Sequence, residues 1–163
     1  MTGSRAFAAV AASGGGVSVL VEGTGFVDSG DITCTDSAFT ALGPDVTITA
    51  AAGDVLHLVP DLLVDTTGND MQIEAATRVG GANETFWSSG TGTSRFPGGL
   101  GVWYMPTGYR SPGSALFVVT ADDVVAGEVT VRLLGRVSSG FRNVHASTSY
   151  PLRWWLFNVG PGV

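Results

Sequence analysis

Short apolar runs that alternate with period two, broken at close intervals by turn residues, constrain this chain most strongly. Residues 114–137 show the pattern best. Along their second half Val129, Thr130 and Val131 alternate between apolar and polar, as in a half-buried antiparallel strand. The run at 115–120 is apolar on both sides, which is typical of a strand that is covered twice. We predict a central hairpin here, with two core strands joined by a polar turn.

The rest of the chain extends this pattern to a whole fold. No stretch keeps a helical period over three turns, and the 24 glycines among 163 residues are about twice the usual share. Many short strands separated by turn signals indicate an antiparallel sandwich or barrel. We predict an all-β protein, an antiparallel jelly-roll-like β-sandwich of about eight strands, formed by residues 31–163.

An extended N-terminal arm is predicted at residues 1–30, outside the folding unit. This segment is rich in Ala, Gly and Ser, so it offers little apolar area to offset the entropy lost on ordering. Alternatively, residues 17–21 add an edge strand to the sandwich. On the arm hypothesis, the following side chains contact a capsid or a ligand: Phe7, Val10, Leu20 and Phe26.

Several classes of function are disfavoured by composition. All eight basic residues are Arg, so the chain has no phosphate-loop lysine, Schiff-base lysine or lysine general base. A net charge of −6 argues against nucleic acid, and no apolar run approaches the length needed to span a bilayer. Cys34 is alone, which leaves no internal disulfide and no thiolate metal site. We expect no nucleic-acid or membrane partner.

The candidate chemical groups form no known catalytic or metal-binding pattern. His57 alternates with apolar neighbours, as a core or interface histidine does, and His145 belongs to no recognisable triad. Oxygen ligands for calcium could come from Asp65, Asn69 and Asp70, but their spacing fits no EF-hand. We therefore predict a protein that is not an enzyme, with no metal and no cofactor.

Aromatic residues are concentrated in the irregular segment 80–113. Exposed Trp and Tyr side chains anchor protein interfaces or stack on sugars, and they can equally cap a sandwich core. These alternatives stay open from sequence alone. The residues predicted to contact a capsid or a ligand are Trp87, Trp103, Tyr104 and Tyr109.

The closing strand at residues 152–159 is apolar on both faces. A sandwich core needs only one of these faces, so the second requires a partner, and obligate subunit contacts are apolar in this way. We predict a subunit interface formed by Arg153, Trp154, Trp155 and Phe157.

Residues 46–58, 115–136 and 151–161 together resemble the small jelly-roll accessory proteins of tailed bacteriophage virions, above all those from high-GC actinobacterial hosts. The broader shape is similar to trimeric tumour-necrosis-factor and C1q-like heads. The resemblance implies a homotrimeric decoration or cement protein that binds the major capsid protein. Such a protein is made in the host cytoplasm and lies on the capsid surface of the virion. The alternative is a carbohydrate- or receptor-binding head of a phage tail or fibre.

Overall fold

The computed structural model describes residues 21–27, 30–36, 38–65, 71–79, 83–86, 102–105, 114–137 and 139–161. These residues form thirteen strands and one short 3-10 turn at Ala121–Asp123. The strands are β1 (Val21–Val27), β2 (Ile32–Thr35), β3 (Thr40–Ala41), β4 (Val46–Thr49), β5 (Asp54–Asp61), β6 (Leu63–Val64), β7 (Met71–Val79), β8 (Asn83–Phe86), β9 (Val102–Met105), β10 (Ala115–Val118), β11 (Glu128–Val137), β12 (Phe141–His145) and β13 (Leu152–Pro161).

Two antiparallel sheets form a jelly roll. The first has the strand order β1-β13-β5-β10. In the second, β11 and β7 are neighbours, β3 and β4 both pair with the other edge of β11, and β8 and β9 both pair with the other edge of β7. If β3 and β4 are counted as one strand, and β8 and β9 as another, the two sheets contain eight strands. Renumbered one to eight along the chain, these strands have the orders 1-8-3-6 and 2-7-4-5. This arrangement of strands confirms the predicted jelly-roll sandwich.

The core lies between the inner faces of these two sheets. Alternate residues of β4, β10 and β11 are buried, as their period-two sequences predict. Trp154 and Phe117 are the largest apolar side chains within it, and both are fully buried. The surrounding core includes Leu56, Leu58, Ile73, Val129, Val131, Leu133 and Leu156.

Two glycines let β1 lie directly against the core. A Cβ on Gly25 would come within 2.0 Å of the Trp154 indole nitrogen, and one on Gly23 within 2.3 Å of a Val46 methyl. The strand pairs with β13 over its whole length. The proposed boundary at residue 30 is therefore corrected, because Val21–Val27 is an edge strand of the sandwich. Residues 1–20 lie outside the described part of the chain, and for them the arm stays a prediction.

The central hairpin predicted at residues 114–137 is wrong in its pairing. Both strands exist, but β10 pairs with β5 in the first sheet, whereas β11 pairs with β7 and β4 in the second. The connection crosses the sandwich instead of returning along the same sheet. Asp123 holds this crossing, because its buried carboxylate accepts hydrogen bonds from Thr120 and, at 3.0 Å, from the Thr77 hydroxyl.

A third sheet has the order β2-β12-β6. Its central strand, β12, contains Arg142, whose side chain is fully buried. Arg142 Nε donates a hydrogen bond to Asp65 Oδ1 at 3.1 Å. The second Asp65 oxygen accepts from the Asn143 backbone N–H at 3.0 Å. Asp65, considered above as a calcium ligand, thus neutralises a buried guanidinium, while Asn69 and Asp70 lie outside the described residues. No described helix is long and apolar enough to cross a bilayer.

Candidate subunit interface

The outer face of the β1-β13-β5-β10 sheet is largely apolar along β13, β5 and β10 and includes Phe26 of β1. We call it the apolar outer face. Alternation along each strand turns these side chains away from the core, and the pairing register places them side by side. Its residues are Thr24, Phe26, Val55, His57, Val59, Asp61, Leu116, Val118, Arg153, Trp155, Phe157 and Val159.

The middle of this face is built from cross-strand neighbours. Trp155 lies opposite Val59, and Phe157 lies opposite His57. On its other side His57 faces Leu116 of β10. The rings of His57 and Phe157 are tilted by 43° with centroids 6.2 Å apart. These pairs form a continuous apolar surface, since aromatic and branched neighbours on one face of a sheet pack against each other.

Two charged residues of the face lie at one end, and Glu22 of β1 is in register with Phe157. Arg153 lies opposite Asp61 across the β13–β5 pair, and Phe26 lies opposite Arg153 across the β1–β13 pair. The Arg153 guanidinium carbon stands 5.3 Å from the centroid of the Phe26 ring. Both Phe26 and Arg153 are exposed. One positive and one negative residue thus lie together at one end of the face.

The outer face of the second sheet is polar where β4 meets β11. Thr47 and Thr130 share a hydrogen bond of 2.8 Å between their hydroxyls. Asp45, just before β4, forms ion pairs with Arg78 at 2.7 Å and with Arg132 at 2.6 Å. Burial acts to raise the pKa of Asp45, but the hydrogen bonds from the two arginines outweigh it and lower the pKa below 3.8. This surface makes polar contacts of its own, unlike the apolar outer face.

Three of the four residues predicted for the subunit interface lie on the apolar outer face. Trp155 and Phe157 are partly buried within it, and Arg153 is exposed at its end. The prediction that Trp154 belongs to the subunit interface is wrong, because its side chain is fully buried in the core. The physical reason is the strand period of two, which sends neighbouring side chains to opposite sides of the sheet.

The other predicted contact residues divide into three groups. Phe26, predicted as a capsid or ligand contact, is 45% exposed and belongs to the apolar outer face. Trp103 and Tyr104 lie in β9, opposite Ile73 and Gln72 of β7, but the structure does not describe their side chains. The predictions that lie wholly outside the described residues concern Phe7, Val10, Leu20, Trp87 and Tyr109.

Sequence reasoning missed the contribution of β5 and β10 to this face. Val55, Val59 and Leu116 belong to it through pairing with strands that are distant in the chain. A signal was present, because residues 115–120 are apolar on both sides. Two apolar sides are typical of a strand covered on both faces, whereas Leu116 is 38% exposed.

Asp31, Cys34 and His145 lie outside the apolar outer face. His145 Nδ1 lies 3.0 Å from Asp31 Oδ2. A hydrogen bond from the Ala146 backbone N–H is the main cause that lowers the pKa of Asp31. Burial raises the pKa of the Cys34 thiol to about 12, which leaves it protonated and unreactive at neutral pH. No three His, Cys, Asp or Glu residues in the described part are grouped to bind a metal ion.

Comparisons with known proteins add similarity in shape only. No protein-family model and no curated protein match the sequence. A crystal structure of murine APRIL at pH 8.0 matches with 12% identity and a TM-score of 0.49, covering 85% of this chain and 98% of that one. The Eiger TNF structure from S. frugiperda matches with 11% identity and a TM-score of 0.47, covering 88% of this chain and 95% of that one. The fold assignment rests on the strand order described above.

Proposed function

We propose that this protein is a non-enzymatic virion structural protein, a homotrimer that binds the major capsid protein lattice of a tailed bacteriophage as a decoration protein. The observation that carries the self-association is the apolar outer face. Its four strands present aromatic and aliphatic side chains on the side of the sheet that faces away from the core.

The size of this face favours a protein partner. Four strands spaced about 4.8 Å apart, over some 20 Å of strand length, cover roughly 400 Å² in plan. This area is of the same order as the largest apolar patch on a typical monomer, roughly 300–600 Å², and such patches are often interaction sites. Burying the exposed parts of Phe26, Leu116 and Val159 would remove the large exposed apolar groups of the face from water.

Further copies of this chain are the occupant that the chemistry fits best. Contacts within homo-oligomers are more apolar than transient contacts and contain few charges in their centre. On this face Arg153 and Asp61 lie at the end, so a neighbouring copy can meet them with the opposite charge while the centres pack together. The number three comes from the resemblance of the sequence to trimeric jelly-roll heads.

Attachment to a capsid is supported by the sequence resemblance over residues 46–58, 115–136 and 151–161. The acidic net charge of −6 and the complete lack of lysine fit a protein partner better than nucleic acid. In this proposal the jelly roll forms the trimer, and residues 1–20 extend to the capsid subunits.

Self-association is tested by Trp155→Glu in analytical ultracentrifugation at micromolar concentration. The unmodified protein is expected to sediment as a trimer, and Trp155→Glu as a folded monomer, because a carboxylate in an apolar contact has no partner. Phe141→Glu is the matched control: Phe141 is 65% exposed on β12, outside the face, so this variant should remain trimeric. A monodisperse monomer of the unmodified protein would overturn the proposal.

The virion assignment is tested by cryo-electron microscopy of intact particles, in which density for this fold is expected on the capsid surface. The alternative function makes a different prediction. A tail or fibre location, together with binding to a glycan array that Trp103→Ala abolishes, would replace the decoration role by that of a carbohydrate-binding head.

A further inference from the structure

His57 lies in the middle of the apolar outer face. It is partly buried on β5, between Phe157 of β13 and Leu116 of β10, which are its two cross-strand partners. Its neighbours along β5 on the same face are Val55 and Val59. A titratable ring thus occupies the centre of a surface that is otherwise apolar at this point.

No charged residue is paired in register with His57. Asp61 is four residues further along β5, roughly 13 Å away at the usual rise of a strand, and Arg153 lies opposite Asp61. Glu22 of β1 is in register with Phe157, on the side of β13 away from β5. Strand β10, with the sequence ALFV, contains no charged residue. Neither described strand beside β5 therefore places a carboxylate directly opposite His57, where it could stabilise a protonated ring.

We infer that assembly through the apolar outer face is controlled by pH, with protonation of His57 separating the subunits. The inference rests on the proposed self-association. In an assembled oligomer His57 is enclosed by apolar groups of its own subunit and of its neighbours. A neutral imidazole tolerates such a site, whereas burial of a charged imidazolium costs free energy. Protons therefore bind more tightly to separated subunits, and acidification favours dissociation.

The overall charge of the protein acts in the opposite direction. The net charge is −6 at pH 7 and the isoelectric point is about 4.6, so acidification towards pH 5 reduces repulsion between copies. General electrostatics thus favours association as the pH falls. Dissociation on mild acidification is consequently a specific signature of a buried group that becomes charged.

The expected size of the effect follows from proton linkage. A trimer buries three copies of His57, and each proton excluded on assembly changes the association constant about tenfold per pH unit. Histidine in water ionises near pH 6.5. At lower pH the trimerisation constant should fall by up to about a thousandfold per pH unit. Such a change raises the concentration at the midpoint of trimer dissociation about thirtyfold per pH unit, because the constant varies with the square of concentration.

The test is sedimentation velocity of the full chain between about pH 8 and about pH 5.5, across the range in which histidine titrates. Near-ultraviolet circular dichroism at each pH reports whether the fold is intact. The unmodified protein is expected to be trimeric at the upper pH and a folded monomer at the lower. His57→Leu should stay trimeric throughout, because it removes the titrating group and keeps the apolar contact.

Two further variants separate the possible outcomes. His57→Arg carries its charge at every pH and should be a folded monomer even at about pH 8, a result independent of acid stability. His145→Gln changes the other histidine, which pairs with Asp31 away from the face, and should keep the unmodified pH response.

A trimeric His57→Arg variant, or a His57→Leu variant that dissociates like the unmodified protein, would overturn this inference. A protein that stays trimeric at both pH values would also overturn it and leave the proposed self-association standing. A protein that is monomeric at about pH 8 would overturn the self-association itself.

Discussion

At the scale of single residues, Val131 and Thr130 test the alternation of β11. Val131 is fully buried, whereas Thr130 is partly exposed and bonds to the Thr47 hydroxyl on the outside. Val131→Ala should lower the free energy of unfolding by about 1–3 kcal/mol, through lost burial and the cavity left behind. Thr130→Ala should cost less, about 0.5–1 kcal/mol for an exposed hydrogen bond. Equal losses in urea melts would contradict this inside–outside assignment.

The turn after the 3-10 segment offers a stabilising substitution. Val125 and Glu128 exchange both backbone hydrogen bonds, and the two residues between them have positive φ angles, 53° at Ala126 and 81° at Gly127. This is a type I′ turn, which favours Asn-Gly, and a left-handed alanine costs about 1 kcal/mol.

Ala126→Asn should therefore raise the free energy of unfolding by about 0.5–1 kcal/mol and the melting temperature by a few degrees. Ala126→Val is the matched control and should be destabilising, because a β-branched residue fits this conformation poorly. An unchanged melting temperature in Ala126→Asn would mean that the turn is not the one described.

Trp154 and Trp155 of β13 show what can be predicted about single residues from the sequence. Alternation separates Trp154 from Trp155 from sequence alone, since neighbours on a strand point to opposite sides. It does not say which side is the core, because the residues on both sides are apolar. Pairing with β1 decides the question: Gly23 and Gly25 leave room for the inner side chains, and the Trp154 indole lies beneath Gly25.

At the scale of elements, strand positions are predictable but strand partners are not. The alternation of Val129, Thr130 and Val131 predicts a strand, and β11 spans Glu128–Val137. The hairpin expected at residues 114–137 fails because alternation is a local property, whereas sheet membership depends on partners far along the chain. The polar segment between β10 and β11 has turn chemistry, yet it connects two sheets and not two neighbours in one.

The Asp45 ion pairs, which connect the start of β4 to β7 and β11, give a pH-dependent prediction. The pKa of Asp45 in the folded protein lies below its reference value of 3.8. Its stabilisation is therefore fully present above that value and is lost as the pH falls through the lower, folded pKa. Asp45→Asn should cost about 1 kcal/mol or less at pH 7, since the pairs are partly exposed.

The difference between Asp45→Asn and the unmodified protein should shrink as denaturant melts are repeated below pH 3.8. Asp122→Asn, at an exposed position of the 3-10 turn, is the matched control and should change stability little at pH 7. A difference for Asp45→Asn that stays constant down to the lowest pH would contradict an ionic origin.

At the scale of the whole molecule, the candidate interface exists only once the fold is assembled. Its residues come from four strands that span the chain from β1 to β13. The closing strand revealed part of the face in the sequence, because two apolar sides in one strand require two partners. The remaining strands each show only a few outward apolar residues, which become a surface when the jelly roll brings them side by side.

The N-terminal segment can be divided by two deletions. Residues 1–20 hold little apolar area, so their loss should leave the melting temperature and the trimer nearly unchanged while abolishing capsid binding. Deleting residues 1–30 also removes β1, which uncovers one edge of β13 and the Trp154 indole beneath Gly25. The longer deletion should therefore cost several kcal/mol or prevent folding, as expected when a buried aromatic side chain loses its cover.

Thermal melts, sedimentation and co-sedimentation with capsids separate these effects. If the two truncated proteins melt alike, β1 does not belong to the folding unit. If the shorter deletion binds capsids as well as the full chain does, residues 1–20 are not the attachment arm, and the capsid contact has to lie on the sandwich itself.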